Sequence, residues 1–318
     1  MTLTSRPAAD GGPWAPYAPD DKAPWSLRRV VHLHRRAGFA ATWGEIQRDL
    51  TAGPQVAVTR LLAGRPRGVG VPAGFAATAD TLARAAVASG DVARLKAWWV
   101  YRMLFGPDPL AERLTLFWHN HFATSAAKAG MTVKGQNDLF RKFAYAPFGE
   151  LLGAVVRDPA LLLYLDAQAN RKGKPNENLA RELMELFTLG IGHYAEADVK
   201  EAARALTGWT VDKGRFREDA ALHDGGEKTI LGSKGAWKGG DLLRLLLDHP
   251  ATAERLAARL CESFLGEGAV DASGLRALAA GLRERQLDVG WAVETVLRSR
   301  TFFAEANLGT RVLGPVEY

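Results

Sequence analysis

Along most of the chain, apolar residues recur three and four positions apart, the spacing that lines one side of an α-helix. Ser26 stands where a cap would start a helix through Val30, Val31 and Leu33, which Gly38 ends. Thr42 and Glu45 have the spacing of a capping box, and Pro54 suits the first turn of the next helix. Asp91 opens a helix through Leu95, Trp98, Trp99, Arg102 and Phe105, broken at Pro107-Asp108-Pro109. Leu110, Leu114 and Phe117 predict a helix over 110–121, and shorter helices are expected over 136–145, 148–156 and 160–165. The plainest signal is 177–189: Asn176 caps it, Gly190 ends it, and Leu179, Leu183, Leu186 and Phe187 form its apolar stripe. A further helix over 196–207 stops at Gly208.

From Trp209 to Gly240 the period changes. Glycines punctuate short pieces such as Trp209-Thr210-Val211 and Thr229-Ile230-Leu231, predicting a loop with a small β-hairpin. A connection of this length inside a compact domain is usually functional or disordered. Helical spacing resumes over 241–247, 252–264, 273–285 and 291–297. The fold class expected is mainly α: one multi-helix globular domain over 26–318 with a glycine-rich loop or small β-hairpin near 209–240. Residues 1–25 carry five prolines and few aliphatics, which predicts a flexible or polyproline-like lead-in that Trp14, Tyr17 and Trp25 can dock. The string Ala-Gly-Phe-Ala-Ala-Thr occurs at 37–42 and 73–78. Its flanks do not match, so it marks two similar helix starts and not an internal repeat.

Composition narrows the class. Hydrophobic residues make up 47% of the chain and charged residues 24%, which excludes disordered and collagen-like proteins. No apolar run reaches the length of a membrane span, and the N-terminus lacks the apolar core of a secretory signal, so the expected location is cytoplasmic. The single cysteine, Cys261, lies in a helical pattern beside Leu260 and Phe264 and reads as a buried small hydrophobe. The net charge of +6 divides into +8 over 1–159 and −2 over 160–318. No Lys/Arg block is dense enough to mark a nucleic-acid stripe, so the excess reads as a solvated basic face.

Three constellations carry candidate chemistry. In Phe117-Trp118-His119-Asn120-His121-Phe122, two histidines one residue apart suit a metal on extended backbone. On a helix they point about 200° apart, and His121 then continues the Leu110/Leu114/Phe117 stripe as a core histidine. The run Asn176 to Glu185 places Arg181, Glu182 and Glu185 on one face with Asn178. These residues suit cation binding or acid–base work, or else a polar face laced by Glu177–Arg181 and Arg181–Glu185 pairs. His223-Asp224 lies in the glycine-rich loop ahead of Glu227 and Lys228, and a loop His-Asp pair is an ingredient of metal and acid–base sites. His193-Tyr194, after Gly190-Ile191-Gly192, is a fourth candidate. Phosphate-loop, dinucleotide-binding, zincin, paired-cysteine zinc and nucleophile-elbow signatures are all absent.

These segments resemble those of a known family. His32 to Phe39, Leu116 to Ser125, Asn176 to Gly190, Asp198 to Trp209, and His223-Asp224 with Lys228-Thr229-Ile230-Leu231-Gly232 look like signatures of DUF1800, a bacterial family named for its unknown function. The resemblance implies a largely helical fold and carries no established reaction. It also implies a neighbourhood with DUF1501 proteins, which resemble sulfatases and alkaline phosphatases, and one shared site built from the motif positions. Many relatives look exported, against the location expected here. Relatives usually continue past the segment matching Gly314-Pro315-Val316-Glu317, so C-terminal helices are expected to be missing.

The functional expectation is a metal-assisted hydrolase or transferase. His119, His121, Glu182 and His223 are its candidate ligands for a divalent metal, and Arg181, Glu182, Glu185, His223 and Asp224 its candidate catalytic residues. The alternative is a non-catalytic helical binding or accessory module partnering a DUF1501-like protein, in which the Glu/Arg/His set is a structural ion-pair network. Nucleic-acid binding and a membrane span are not expected.

Overall fold

The computed structural model describes residues 12–39, 41–64, 71–311, 314 and 316, and turns most of the predicted periodicity into helix. By its contacts the chain divides into two compact units, Met1–Phe117 with Ala257–Tyr318, and Trp118–Leu256. In chain order the first helices are α1 (Leu27–Ala37), α2 (Trp43–Ala52), α3 (Pro54–Ala63), α4 (Phe75–Ser89), α5 (Val92–Phe105) and α6 (Pro109–Phe122). They are followed by α7 (Ala126–Ala129), α8 (Val133–Lys142), α9 (Phe148–Val155), α10 (Pro159–Tyr164), α11 (Asn178–Glu182) and α12 (Glu196–Ala205). Two hairpins come next, β1 (Trp209–Asp212) with β2 (Arg215–Glu218), and β3 (Lys228–Ile230) with β4 (Ser233–Gly235). The chain closes with α13 (Gly239–Asp248), α14 (Pro250–Phe264), α15 (Ala272–Glu284) and α16 (Val289–Arg298).

The first unit is organised by local signals the sequence carries openly. Thr42 and Glu45 form the capping box of α2, and Asp91 caps α5 through the amide of Ala93. Ser26 precedes α1 but makes no side-chain cap. The Pro-rich lead-in is docked where it is described: the Trp14 indole donates to the Gly274 carbonyl at 2.8 Å, Pro16 pairs with Ser299, and Trp14 and Tyr17 are buried. Its aromatic residues outweigh the freedom its prolines suggest. Residues 1–11 of that lead-in, and Pro315 and Glu317 of the C-terminal segment, lie outside the described residues.

The second unit is built on an aromatic core of Trp118, Phe122, Phe140, Phe148 and Phe187. Helix α12 is its strut, packing on α11, α13 and β3. The loop region contains two hairpins where one small hairpin was expected. Each turns on two residues at positive φ, Lys213-Gly214 and Leu231-Gly232, the geometry that matches strand twist in a two-residue turn. Leu231 is an unusual residue there, and its amide is held by Asp198 Oδ1 at 2.8 Å.

The helix expected over 177–189 is not one α-helix. After α11 the backbone widens into a π-helix over Leu183–Thr188, and the amides of Leu189 and Gly190 both donate to the Met184 carbonyl. The widening breaks the predicted stripe. Leu179, Leu183, Met184 and Phe187 are buried, while Leu186 turns outward, 37% exposed, and its carbonyl accepts from Arg255 Nε at 2.8 Å.

Candidate functional site

The sequence brings its three constellations into one unit but not into one site. His119 and His121 sit on the last turn of α6, where helical geometry sends them apart. His121 is buried, and its Nε2 donates to the Phe187 carbonyl at 3.0 Å among the rings of Trp118, Phe122 and Phe148. It is the core histidine that the apolar stripe suggests. His119 stacks edge-on against Phe140, and its Nε2 accepts from Asn137 Nδ2 at 3.1 Å. The Asn137 amide is oriented by Arg141, whose guanidinium donates to Asn137 Oδ1 at 2.6 Å. Burial, with help from the Arg141 charge, pushes the His119 pKa down to about 3, so the ring stays neutral.

The Glu/Arg face is an ion-pair network at the start of α12. Arg181 grips Glu196 through both nitrogens at 2.7 and 2.8 Å and reaches Glu177 at 3.0 Å. The expected Glu177–Arg181 pair is present, but Glu196 takes the place foreseen for Glu185. Glu185 instead accepts from the Tyr194 hydroxyl at 3.0 Å. Glu182 has its pKa raised, first by burial and then by the neighbouring Glu185 charge. The π-helix beginning at Leu183 sets the spacing of these two carboxylates.

The third constellation forms at the other end of α12. Glu196 and Arg204 are eight residues apart, so along the helix axis the two clusters are separated by roughly 12 Å. Asp224 is held by Arg204 at 2.8 and 3.3 Å and by the Gly226 amide at 2.9 Å. The Arg204 hydrogen bonds push its carboxyl pKa down to about 2. Arg204 also binds Glu201 at 2.7 Å. Lys228 is buried, and its ammonium donates to the carbonyls of Asp224 and Gly226 at 2.6 and 2.8 Å, pinning the turn from inside. Asp224 thus shapes the loop, and its carboxylate is committed to Arg204.

His223 is placed differently. Its Nδ1 lies 3.0 Å from the Thr207 carbonyl and 3.3 Å from the Thr207 hydroxyl. That hydroxyl spends its own proton on the Arg204 carbonyl at 2.7 Å and accepts from the Asp224 amide at 2.7 Å. Both neighbours of Nδ1 are therefore acceptors, which puts the proton on Nδ1 and leaves the Nε2 lone pair uncommitted among the described residues. The imidazole lines a cavity of about 170 Å³ with Thr207, Trp209, Glu218, Asp219 and Lys238. Two glycines make the wall possible. A Cβ on Gly239 would lie 2.1 Å from Trp209 Cζ2, and one on Gly208, at φ +86°, would lie 2.4 Å from the Asp219 carbonyl.

The four residues expected to hold a metal do not form a ligand shell. The Nε2 atoms of His119 and His121 are both committed to protein partners. Among the described residues no group of three or more His, Cys, Asp or Glu side chains is arranged to hold a metal ion. His193 and Tyr194 separate as well: Tyr194 serves Glu185, and the His193 ring lies 6.1 Å from His249. Thr207, Arg204 and Lys228, which build the His223 loop, fall in the family-like segments Asp198 to Trp209 and Lys228 to Gly232 but were not among the expected site residues.

A family model described as "Protein of unknown function (DUF1800)" matches residues 32–318. No curated protein and no solved structure matches the chain. Among the described residues no helix is long and apolar enough to cross a membrane.

Proposed function

The chain belongs to the DUF1800 family, and on that premise we propose that it is a small-substrate hydrolase or transferase whose working group is His223. One observation carries this reading: the imidazole is fixed through Nδ1 to Thr207, its Nε2 has no partner among the described residues, and His223 lines a cavity. A histidine anchored in this way is oriented for general base work. In hydrolysis of an ester, Nε2 takes a proton from water as the water oxygen bonds to the acyl carbon. The same proton then passes to the departing alkoxide as the acyl–oxygen bond breaks. Thr207 holds the tautomer, and Arg204, Asp224 and Lys228 hold the loop. Glu182 and Glu185, at the far end of α12, act in the fold and not in this reaction. No step is assigned to a divalent metal: the Nε2 atoms of His119 and His121 have protein partners, and among the described residues no group of three or more His, Cys, Asp or Glu is arranged to hold one.

The test is turnover of a panel of p-nitrophenyl esters, phosphates and sulfates by wild type, His223→Gln and His119→Gln. The expected result is activity on at least one substrate that His223→Gln lowers ~100-fold or more and His119→Gln leaves within a few-fold. Equal rates for wild type and His223→Gln overturn the assignment. A second reading, the non-catalytic module partnering a DUF1501-like protein, is favoured by the Arg181 network, whose charges are satisfied within the unit. Absence of turnover across the panel, with co-purification of such a partner, would support it.

A further inference from the structure

His223 supplies reactivity to the cavity, and the charges at its rim select what enters. Two of the lining side chains carry opposite charge: Glu218 on β2 and Lys238 just ahead of α13. Both are exposed, and neither side chain makes a hydrogen bond or ion pair among the described residues. They are therefore further apart than the 4.0 Å of an ion pair. The remaining carboxylate, Asp219, accepts from the Ala221 amide at 3.0 Å and is countered by Arg217 at 3.7 Å. One cavity thus presents a cation and an anion, neither with a hydrogen-bonded or ion-paired partner among the described residues, beside an imidazole, and the Lys238 charge also acts on Asp241 of α13.

Opposite charges held apart across a small space are completed by a ligand that brings one of each. A purely anionic ligand leaves Glu218 facing it, and a purely cationic one is opposed by Lys238. Size narrows the choice. At ~30 Å³ per water, 170 Å³ holds between five and six water molecules, well below the ~300–1,000 Å³ of pockets for larger organic ligands. A compact zwitterion fits within it, and a larger ligand enters it with one end only.

We propose that this cavity binds a free α-amino acid, the acid released by hydrolysis of an aminoacyl ester or amide, with its ammonium at Glu218 and its carboxylate between Lys238 and His223. The inference rests on the reading of this cavity as the working site, and it names the class of acid that the reaction releases there. In hydrolysis, water adds to the aminoacyl carbon, the acyl–heteroatom bond breaks, the leaving group departs with the proton relayed by His223, and the amino acid remains as product.

Binding is measured on the full-length protein by following the Trp209 indole N–H in NMR titrations with alanine, propionate and ethylamine. Alanine is expected to shift the resonance saturably, and propionate and ethylamine, each lacking one charge, to bind at least ~10-fold more weakly. Lys238→Met should erase the advantage of alanine over ethylamine, and Glu218→Gln its advantage over propionate. His223→Gln should still bind alanine, so a failure of the catalytic reading leaves this result standing. No saturable response of wild type to alanine overturns the proposal. So does propionate or ethylamine binding as tightly as alanine, or unchanged selectivity in both rim variants when their amide spectra show the native fold.

Discussion

His119 and His223 show how neighbours decide what a side chain does. Both are histidines in motif segments, and the sequence offers no means of ranking them. Burial and the Arg141 charge keep the first ring neutral, with Asn137 donating to it, while Thr207 accepts from the other, whose Nε2 is left without a partner among the described residues beside a cavity. The difference has a measurable consequence for His119. Its ordinary pKa is near 6.5 and its folded value is about 3, so between those values the unfolded chain binds the extra proton. Stability from this group is complete above pH 6.5 and is lost as the pH falls through that window. At ~1.4 kcal/mol per unit, wild type should lose about 2 kcal/mol between pH 6.5 and 5 that His119→Gln does not. Urea unfolding at the two pH values checks this, and parallel losses in both proteins would contradict it.

At the scale of elements, the helices were legible because their signals are local. The capping box at Thr42 and Glu45, the cap at Asp91 and the apolar spacing of α6 all act within one turn. The π-helix over Leu183–Thr188 was hidden for the opposite reason. An α-helix and a π-helix share nearly the same sequence pattern, and what favours the wider turn includes distant partners such as Arg255 on the Leu186 carbonyl. The cavity was hidden too, because its walls come from the end of α12, the β1–β2 hairpin with the loop after it, and the start of α13. The glycine-rich composition was visible, but not which glycine mattered. Gly239 lies flat against Trp209, and a methyl there would overlap the indole. Gly239→Ala should displace Trp209, cost on the order of 1–3 kcal/mol, and abolish the response of the Trp209 indole resonance to alanine. Gly240→Ala, with open space at its Cβ, is the control expected to leave that resonance in place.

For the molecule as a whole, the polar stretch from His119 to Asp224 coincides with most of one contact unit, Trp118–Leu256. Sequence alone gathered these residues into a single site. The fold instead distributes them over a core histidine, an ion-pair network and a cavity. Proximity in one unit is weaker than convergence on one ligand, because α12 holds its two charged clusters roughly two helical turns apart. The central claim is that one of these histidines is poised to react while the others are held in place. Imidazole nitrogen NMR of the uniformly ¹⁵N-labelled protein at pH 8 tests it directly. The account predicts His119 and His223 as Nδ1–H tautomers and His121 as the Nε2–H tautomer, with alanine perturbing the Nε2 of His223 and leaving the other two unchanged. His223 in the Nε2–H form, or an alanine response at His119 or His121 in its place, would contradict it.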